Sequence, residues 1–306
     1  MFDLPGKKRL KKNIVLKNLH EGKRSFLVLN GESLQQIDIT KLKDEYTFGV
    51  GYIFLHEDIE KMNLTFYLNP ERSSAFYPGA AHWPESCLGP IGDGGMGRFY
   101  QEIEKRLGNK TTLFLHSDNY KYIQRNNFFK DKVKYFIKGK KGFCLNEKIP
   151  YEIAADLTKR RISGGGSVFF SILIMMYMGF KEIYLCGAGY TYDPRYIWHF
   201  YDNIVFPKTM GREDAEIEAR KAIEIRNCKF SSILEYYGLF EKNDFYRVIC
   251  VNKIDHDLNR DMHKILSNYA RSQGVKIYNI VPEEFESPSY EKISWQKVAD
   301  EMLSSN

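Results

Sequence analysis

The sequence predicts an α/β protein with a doubly wound, mostly parallel Rossmann-like sheet and an irregular lid insertion. Short apolar runs of strand length alternate with longer helical patterns, which is typical of parallel strands joined by crossover helices. A glycine-rich turn at 163–167 leads into an apolar helix and then into the short run IYLCG. Ligands of open α/β sheets bind outside the carboxyl ends of the strands, so this region is the first candidate for a site.

The individual elements follow from apolar periodicity and from the turn residues between them. Strands are predicted at 25–30, 47–55, 64–69, 112–116, 133–137, 182–187, 246–252 and 275–279. Helices are predicted at 96–107, 168–178, 214–237 and 258–273. Gly274 follows the last of these helices, at the position where glycine commonly ends a helix.

Residues 1–24 stand apart from this pattern. They are basic and show no core periodicity after the first turn, so we expect a flexible leader. Their basic side chains are Lys7, Lys8, Arg9, Lys11, Lys12 and Lys17. Such side chains each contribute about 1 kcal/mol near an anionic lipid surface, so a peripheral contact with the inner face of a membrane is an expected partner. Residues 25–306 are expected to form a single nucleotide-binding domain.

A lid is predicted at about 189–211, where the sequence is rich in aromatic residues and fits neither helix nor strand. Long irregular segments inside compact domains are usually functional or disordered, and the aromatic residues favour function. The lid contains Tyr190, Tyr192 and His199. Histidine titrates near neutral pH and suits a general base, whereas tyrosine can donate a hydrogen bond to a departing phosphate. A packed position in an aromatic cluster is the alternative for His199.

The turn after the first predicted strand is a candidate nucleotide contact. Asn30 offers an amide that can donate to phosphate, Gly31 permits a tight turn, and Ser33 can cap a helix or bind an anion. The turn lacks the spacing of both the dinucleotide fingerprint and the P-loop. An ordinary strand-to-helix turn is the alternative.

The glycine-rich turn is the second candidate. Gly165, Gly166 and Ser167 precede the apolar helix, and consecutive glycines indicate that a ligand or another element approaches the backbone closely. The free amides of the helix N-terminus can hold an anion. A turn that serves packing alone is the alternative.

Composition and charge exclude several classes of protein. The net charge of +6 fits an anionic ligand but falls short of a nucleic-acid binder. The five cysteines occur singly, without metal or redox spacing, which favours reduced thiols in a cytoplasmic protein. The longest apolar run, 168–178, is too short to span a bilayer. No residues have zinc-ligand spacing, so we expect no metal and no cofactor.

Four segments of the chain resemble the bacterial sialyltransferases of glycosyltransferase family 42 and the related pterin-diphosphokinase-like proteins of unknown function. The segments are NGESL (30–34), YLNP (67–70), GSVFFSILIMMYMGFKEIYLCG (166–187) and GVKIYNIVP (274–282). The resemblance implies a metal-independent inverting glycosyltransferase that uses a CMP-activated acidic sugar. It further implies a surface-glycan acceptor, of the kind found in lipopolysaccharide or capsule, and a homo-oligomer.

The resemblance also implies roles for residues that match the family's motifs. Asn30 and Asn69 stand where the family holds the nucleotide and its phosphate, and Ser167 where a serine lines the donor pocket. The chain departs from the family at Gly51, where an asparagine is usual, and at Gly189, where an acidic residue is usual. These departures leave the donor open among sialic acid, another nonulosonate and a Kdo-like sugar.

For catalysis, the resemblance implies that His199 deprotonates the hydroxyl of the glycan acceptor. Tyr190 and Tyr192 lie near the family's phosphate-binding tyrosines. An ATP-dependent enzyme like the pterin diphosphokinases is a second hypothesis, and it calls for carboxylates that bind Mg²⁺. A nucleotide- or glycan-binding protein without activity is the third.

Overall fold

The main sheet of the protein is parallel along its whole described width. The structure, a computed structural model, describes residues 4–70, 96–140, 155–159, 161–162, 166–189, 263–283, 287 and 289–304. Its strands are β1 (Arg24–Val28), β2 (Thr47–Val50), β3 (Phe66–Asn69), β4 (Thr112–His116), β5 (Lys134–Ile137), β6 (Gly139–Lys140), β7 (Arg161–Ile162), β8 (Glu182–Cys186), β9 (Lys276–Ile280) and β10 (Glu291–Ile293). Eight of them form one sheet, and β6 and β7 form a separate parallel pair.

The order of strands in the sheet is β10-β9-β8-β1-β2-β3-β4-β5. From β1 the chain moves outward to β5, crosses to the other side of β1, and moves outward again from β8 to β10. The direction of winding therefore reverses between β1 and β8, which pair from Arg24 opposite Glu182 to Val28 opposite Cys186. This arrangement confirms the predicted doubly wound class and identifies the topological switch point.

Helices cover both faces of the sheet. They are α1 (Leu4–Lys11), α2 (Ile59–Met62), α3 (Met96–Arg106), α4 (Tyr120–Arg125), α5 (Gly166–Tyr177), α6 (263–272) and α7 (Trp295–Ser304). Alternate residues of β1 belong to two apolar layers: Phe26 and Val28 pack with α3, α4 and α7, while Leu27 and Leu29 pack with α5 and α6. Burial on both faces explains why the strands read as continuous apolar runs.

The apolar helix α5 runs against the direction of the strands. Its carboxyl end lies at the amino edge of the sheet, where the backbone amides of Asn18 and Gly22 donate to the carbonyls of Tyr177 and Gly179 at 3.0 Å. The amino end of α5 consequently lies at the carboxyl edge. Gly179 adopts a φ of +91°, the left-handed geometry that commonly follows the end of a helix.

Most predicted elements that fall in the described residues are present, but the short elements α1, α2, α4, β6 and β7 were not predicted. The strand predicted at 47–55 ends at Val50, because Gly51 turns the chain with a φ of +56° and a 3₁₀ turn follows at Ile53–Leu55. The sequence analysis predicted no element beyond residue 279, where β10 and α7 lie. The predictions at 214–237 and 246–252 fall outside the described residues.

The described part of the N-terminal segment packs against the domain, whereas the sequence predicts a flexible leader over 1–24. After α1, a 3₁₀ turn spans Lys12–Leu16, and Leu10, Asn13 and Leu16 are buried. The apolar periodicity of this segment is weak, because three of its described side chains are buried and one of these three is polar. Among the described helices, none combines the length and the apolar character needed to cross a membrane.

Asn13 fixes this segment to the edge of the sheet. Its side chain is fully buried, and its Nδ2 donates to the carbonyl oxygens of Phe136 and Leu157, both at 2.8 Å. Phe136 belongs to the edge strand β5. One amide side chain thus satisfies two buried backbone acceptors that come from different parts of the chain.

Replacement of Asn13 tests this packing. We expect Asn13→Ala to lower the free energy of unfolding by about 2 kcal/mol, because two buried carbonyls lose their donor. Urea denaturation followed by circular dichroism measures the change. Lys12→Ala, at an exposed neighbouring position, should stay within about 0.5 kcal/mol of the parent. Equal stability of the two variants would contradict the packed N-terminal segment.

Candidate functional site

The carboxyl ends of β1, β2 and β3 align three polar or glycine positions in one row. The strand register puts Val28, Gly49 and Tyr67 at one level. Two residues further along the three strands are Asn30, Gly51 and Asn69. Because side chains two residues apart share a face, Asn30 and Asn69 lie on the same side of the sheet. Adjacent strands are about 4.8 Å apart and β2 lies between β1 and β3, so the backbones at Asn30 and Asn69 are separated by about 10 Å.

Asn30 presents a hydrogen-bond acceptor at this edge. Its Nδ2 donates to the carbonyl oxygen of Val50 at 3.1 Å, and since a carbonyl only accepts, this bond fixes the orientation of the amide. Its Oδ1 is buried, and no described residue donates to it. The sequence analysis expected the amide nitrogen to reach a phosphate. The geometry instead makes the oxygen available to a hydroxyl or amino group of a ligand.

Gly51 makes room for the Asn30 amide. A Cβ at position 51 would lie 2.7 Å from Nδ2 of Asn30, and the φ of +56° already disfavours any side chain. The Gly51 carbonyl accepts a hydrogen bond from the Tyr67 hydroxyl at 2.5 Å. The sequence resemblance leads to an expected asparagine at position 51, and the glycine found there leaves the space that the Asn30 amide occupies. An asparagine at 51 would require Asn30 to move.

At the switch point, the backbones leaving β1 and β8 touch. The amides of Leu29 and Gly31 donate to the carbonyls of Cys186 and Gly187, at 2.8 and 2.9 Å. A Cβ on Gly31 would overlap the Gly187 carbonyl oxygen, and one on Gly187 would lie 2.9 Å from the Leu29 carbonyl oxygen. The glycine predicted for a tight turn thus also serves the close approach of two chain segments.

Ser33 lies beneath this contact, in the 3₁₀ turn Glu32–Gln36. Its side chain is completely buried, and its Oγ has no hydrogen-bond partner in the described part of the chain. An unpartnered buried hydroxyl is costly. Ser33 belongs to the turn that follows β1 at the crevice, which we define as the space outside the carboxyl ends of β1, β2, β3 and β8.

The amino end of α5 faces the same edge. Gly166 is the first residue of the helix and Ser167, in its first turn, is partly exposed. The Ser167 carbonyl accepts a hydrogen bond from the hydroxyl of Ser171 at 2.8 Å. The backbone amides of a first helical turn have no partner within the helix and carry partial positive charge. They can bind an anion at the rim of the crevice.

Asn69 occupies the last position of β3 and is 2% exposed. It pairs in register with Leu115 of β4. Gly165 and the lid residues Tyr190, Tyr192 and His199 lie outside the described residues, so their roles stay predictions. Gly189 is the last described residue before the lid.

Asn279 is a polar residue of this edge that the sequence analysis did not select. It is fully buried, and its Nδ2 donates to the carbonyl of Ala188 and to Oγ of Ser287, both at 3.1 Å. No described residue donates to its Oδ1. The signal was present, because an asparagine near the end of an apolar strand also marks Asn30 and Asn69.

Cys186 ends β8 close to the crevice but is unsuited to nucleophilic chemistry. It is fully buried, and this burial raises the pKa of the thiol far above its ordinary range. The thiol is therefore protonated at neutral pH and acts as a small apolar group. In the described ranges, no three His, Cys, Asp or Glu side chains converge as ligands for a metal ion.

Comparisons with known proteins leave the family open. No protein-family model matches the sequence, and no curated protein matches it. One similar solved structure is the sialyltransferase CstII from Campylobacter jejuni with the substrate analogue cytidine-5'-monophosphate, at 15% identity and a TM-score of 0.40, covering 90% of this chain and 86% of that chain. Another is CstII with CMP-3FNeuAc, at 14% identity and a TM-score of 0.39, covering 88% and 86%. Similarities at this level carry no argument about ligand or reaction.

The backbone contact at the switch point can be tested by adding one methyl group. We expect Gly31→Ala to lower the free energy of unfolding by about 2 kcal/mol, as overpacking against backbone atoms cannot relax cheaply. Gly108→Ala is the matched control, since a Cβ there meets nothing within 4 Å. Thermal and urea denaturation measure both. If Gly31→Ala were as stable as Gly108→Ala, the two backbones would not be in contact.

Proposed function

We propose that the protein is a metal-independent inverting glycosyltransferase. It moves an acidic sugar (sialic acid, another nonulosonate or a Kdo-like sugar) from a CMP donor to a surface-glycan acceptor. The observation that supports this proposal most directly is the buried Oδ1 of Asn30, which has no donor among the described residues. Asn30 lies in one row with Asn69, beside the switch point. These are the asparagines to which the sequence resemblance assigns the nucleotide.

The groups at the crevice suit different parts of a nucleotide. The amides that begin α5, near Gly166 and Ser167, suit the phosphate because they are donors with partial positive charge. Oδ1 of Asn30 suits a ribose hydroxyl or the amino group of cytosine, which are hydrogen-bond donors. Uncharged groups of this kind can position a nucleotide monophosphate by hydrogen bonds alone.

The lid supplies the catalytic groups in this proposal. Gly189 follows the carboxyl end of β8, and an extended residue spans at most about 3.6 Å. Tyr190 and Tyr192 follow Gly189 by one and three residues in the sequence, and in this proposal they stabilise charge on the departing CMP phosphate. His199 would take the proton from the glycan acceptor. Preorganised donors of this type contribute about 3 kcal/mol each to transition-state stabilisation.

The cellular setting belongs to the same proposal. Cys186 is buried and unpaired with another cysteine, in keeping with the cytoplasmic location expected from the scattered cysteines. Self-association is a further part of the proposal.

Nucleotide binding gives the first test. We expect CMP to bind in the presence of EDTA and to raise the thermal midpoint. Asn30→Ala should weaken CMP binding about tenfold in calorimetry, because a bound donor loses its partner. Asn126→Ala is the control, since Asn126 is exposed and follows the carboxyl end of α4, away from the crevice. Stabilisation only by ATP with Mg²⁺ would favour the diphosphokinase-like alternative instead.

Turnover gives the second test. His199→Ala should reduce sugar transfer by about a hundredfold or more, the usual effect of losing a general base, with CMP affinity unchanged. Transfer from CMP-sugars to a panel of glycans measures the first quantity and calorimetry the second. Unchanged transfer would remove His199 from the role of base. Binding of CMP by a wild-type protein that transfers no sugar would favour the non-catalytic alternative.

A further inference from the structure

The 3₁₀ turn after α1 and the loop that follows it expose a group of large apolar side chains. In the described part of the chain, five large apolar side chains are about half exposed or more. Three of them fall within six residues: Ile14 at 57%, Val15 at 61% and Leu19 at 56%. We call these three residues the apolar triad. Single exposed apolar residues are ordinary, whereas clustered ones mark an interaction surface.

The fold holds the triad in place. Asn13 and Leu16 are buried on either side of Ile14 and Val15, so these two side chains must face outward. The backbone amide of Lys17 donates to the Ile14 carbonyl at 3.1 Å. After Leu19, the amide of His20 donates to the Met178 carbonyl at 2.8 Å. The triad therefore stands on a packed base and is not a frayed end.

Lysines flank the triad in the sequence. Between Asp3 and Glu21 the chain contains no Asp or Glu. The exposed lysines next to the triad are Lys7, Lys8, Lys11, Lys12, Lys17 and Lys23. Apolar side chains flanked by lysines suit the boundary between phosphate headgroups and acyl chains. There the apolar side chains contact acyl chains and the lysines contact phosphates.

We propose that the apolar triad and its lysines dock the protein onto a bilayer that contains anionic phospholipid. The triad enters the headgroup–acyl boundary, and the lysines contact the lipid phosphates. A nucleic acid would satisfy the lysines but would leave the triad in water, so the lipid surface fits more of the observed features. This docking does not depend on the proposed reaction.

The position of the triad fixes an orientation at the membrane. Residues 18–20 bond to the carboxyl end of α5 at the amino edge of the sheet. Val133, 58% exposed, precedes β5, the strand that packs against the 3₁₀ turn. The crevice lies at the opposite, carboxyl edge. Docking through the triad leaves the crevice open to the aqueous side.

Vesicle co-sedimentation of the full chain without nucleotide tests the proposal. We expect binding to vesicles of phosphatidylcholine with phosphatidylglycerol and little binding to phosphatidylcholine alone. The variant Ile14→Ser/Val15→Ser/Leu19→Ser should lower the partition coefficient about tenfold or more, since the apolar contribution is lost. Lys11→Gln/Lys12→Gln/Lys17→Gln should remove the preference for phosphatidylglycerol and the weakening by salt.

Ile265→Ser is the matched control. Ile265 is 48% exposed on α6, away from the triad in sequence, and its replacement should leave vesicle binding unchanged. Circular dichroism confirms that each variant is folded.

Several outcomes would overturn the proposal. One is that the wild-type protein does not bind phosphatidylglycerol vesicles. Another is that the triad variant binds them as well as the wild type does. If the triad variant instead dissociates an oligomer in light scattering, with no vesicle binding by the wild type, the surface joins two copies of this chain. Tight binding of an RNA oligonucleotide without vesicle binding would assign the lysines to nucleic acid.

Discussion

The contact between the backbones that leave β1 and β8 sets the geometry of the whole carboxyl edge. Gly31 and Gly187 approach so closely that neither position has room for a Cβ. This contact continues the pairing of β1 and β8 beyond the ends of the strands. As a consequence, the loop after β1 and the chain after β8 leave the sheet side by side. The described candidate contacts Asn30, Gly31 and Ser33 lie in the first of these two segments.

Polar groups near this point are held in ways that leave acceptor atoms available. Asn30 and Asn279 each use the amide nitrogen to bind a backbone carbonyl at or just beyond the end of the neighbouring strand, and each keeps a buried oxygen without a described donor. Buried polar atoms without partners cost free energy. Their presence on both sides of the switch point is what a binding edge requires, because a ligand can supply the missing donors.

The sequence predicts the fold well because its strands are buried on both faces. Apolar runs such as 25–30 and 182–187 carry that signal directly, and α5 follows from its continuous apolar stretch. The N-terminal segment was missed for a physical reason: Asn13, a polar residue, takes an inward position that patterns reserve for apolar side chains. The apolar pattern also does not show where a strand ends. At Gly51, a left-handed residue stops β2 although the apolar run continues after it.

For the candidate site, the structure adds the hydrogen bonds of the predicted residues, which the sequence does not contain. Asn30 was expected to donate to a phosphate, whereas in the structure its Nδ2 donates to the Val50 carbonyl and its buried Oδ1 has no donor among the described residues. Such an orientation depends on a neighbouring strand and has no local signature. Asn279 carries the same sequence signal as Asn30 and Asn69, and the sheet order adds that its strand β9 lies beside β8.

The hydrogen bond from Asn13 to Phe136 also bears on how the protein avoids self-assembly through its sheet. In the described sheet, β5 is an outermost strand, and exposed strand edges offer unpaired backbone groups to other chains. Asn13 occupies one of these groups, and the segment that carries it packs alongside the strand. The N-terminal segment thus covers part of an edge on which a second sheet could otherwise grow: Asn13 faces inward onto that edge, while its neighbours Ile14 and Val15 face outward.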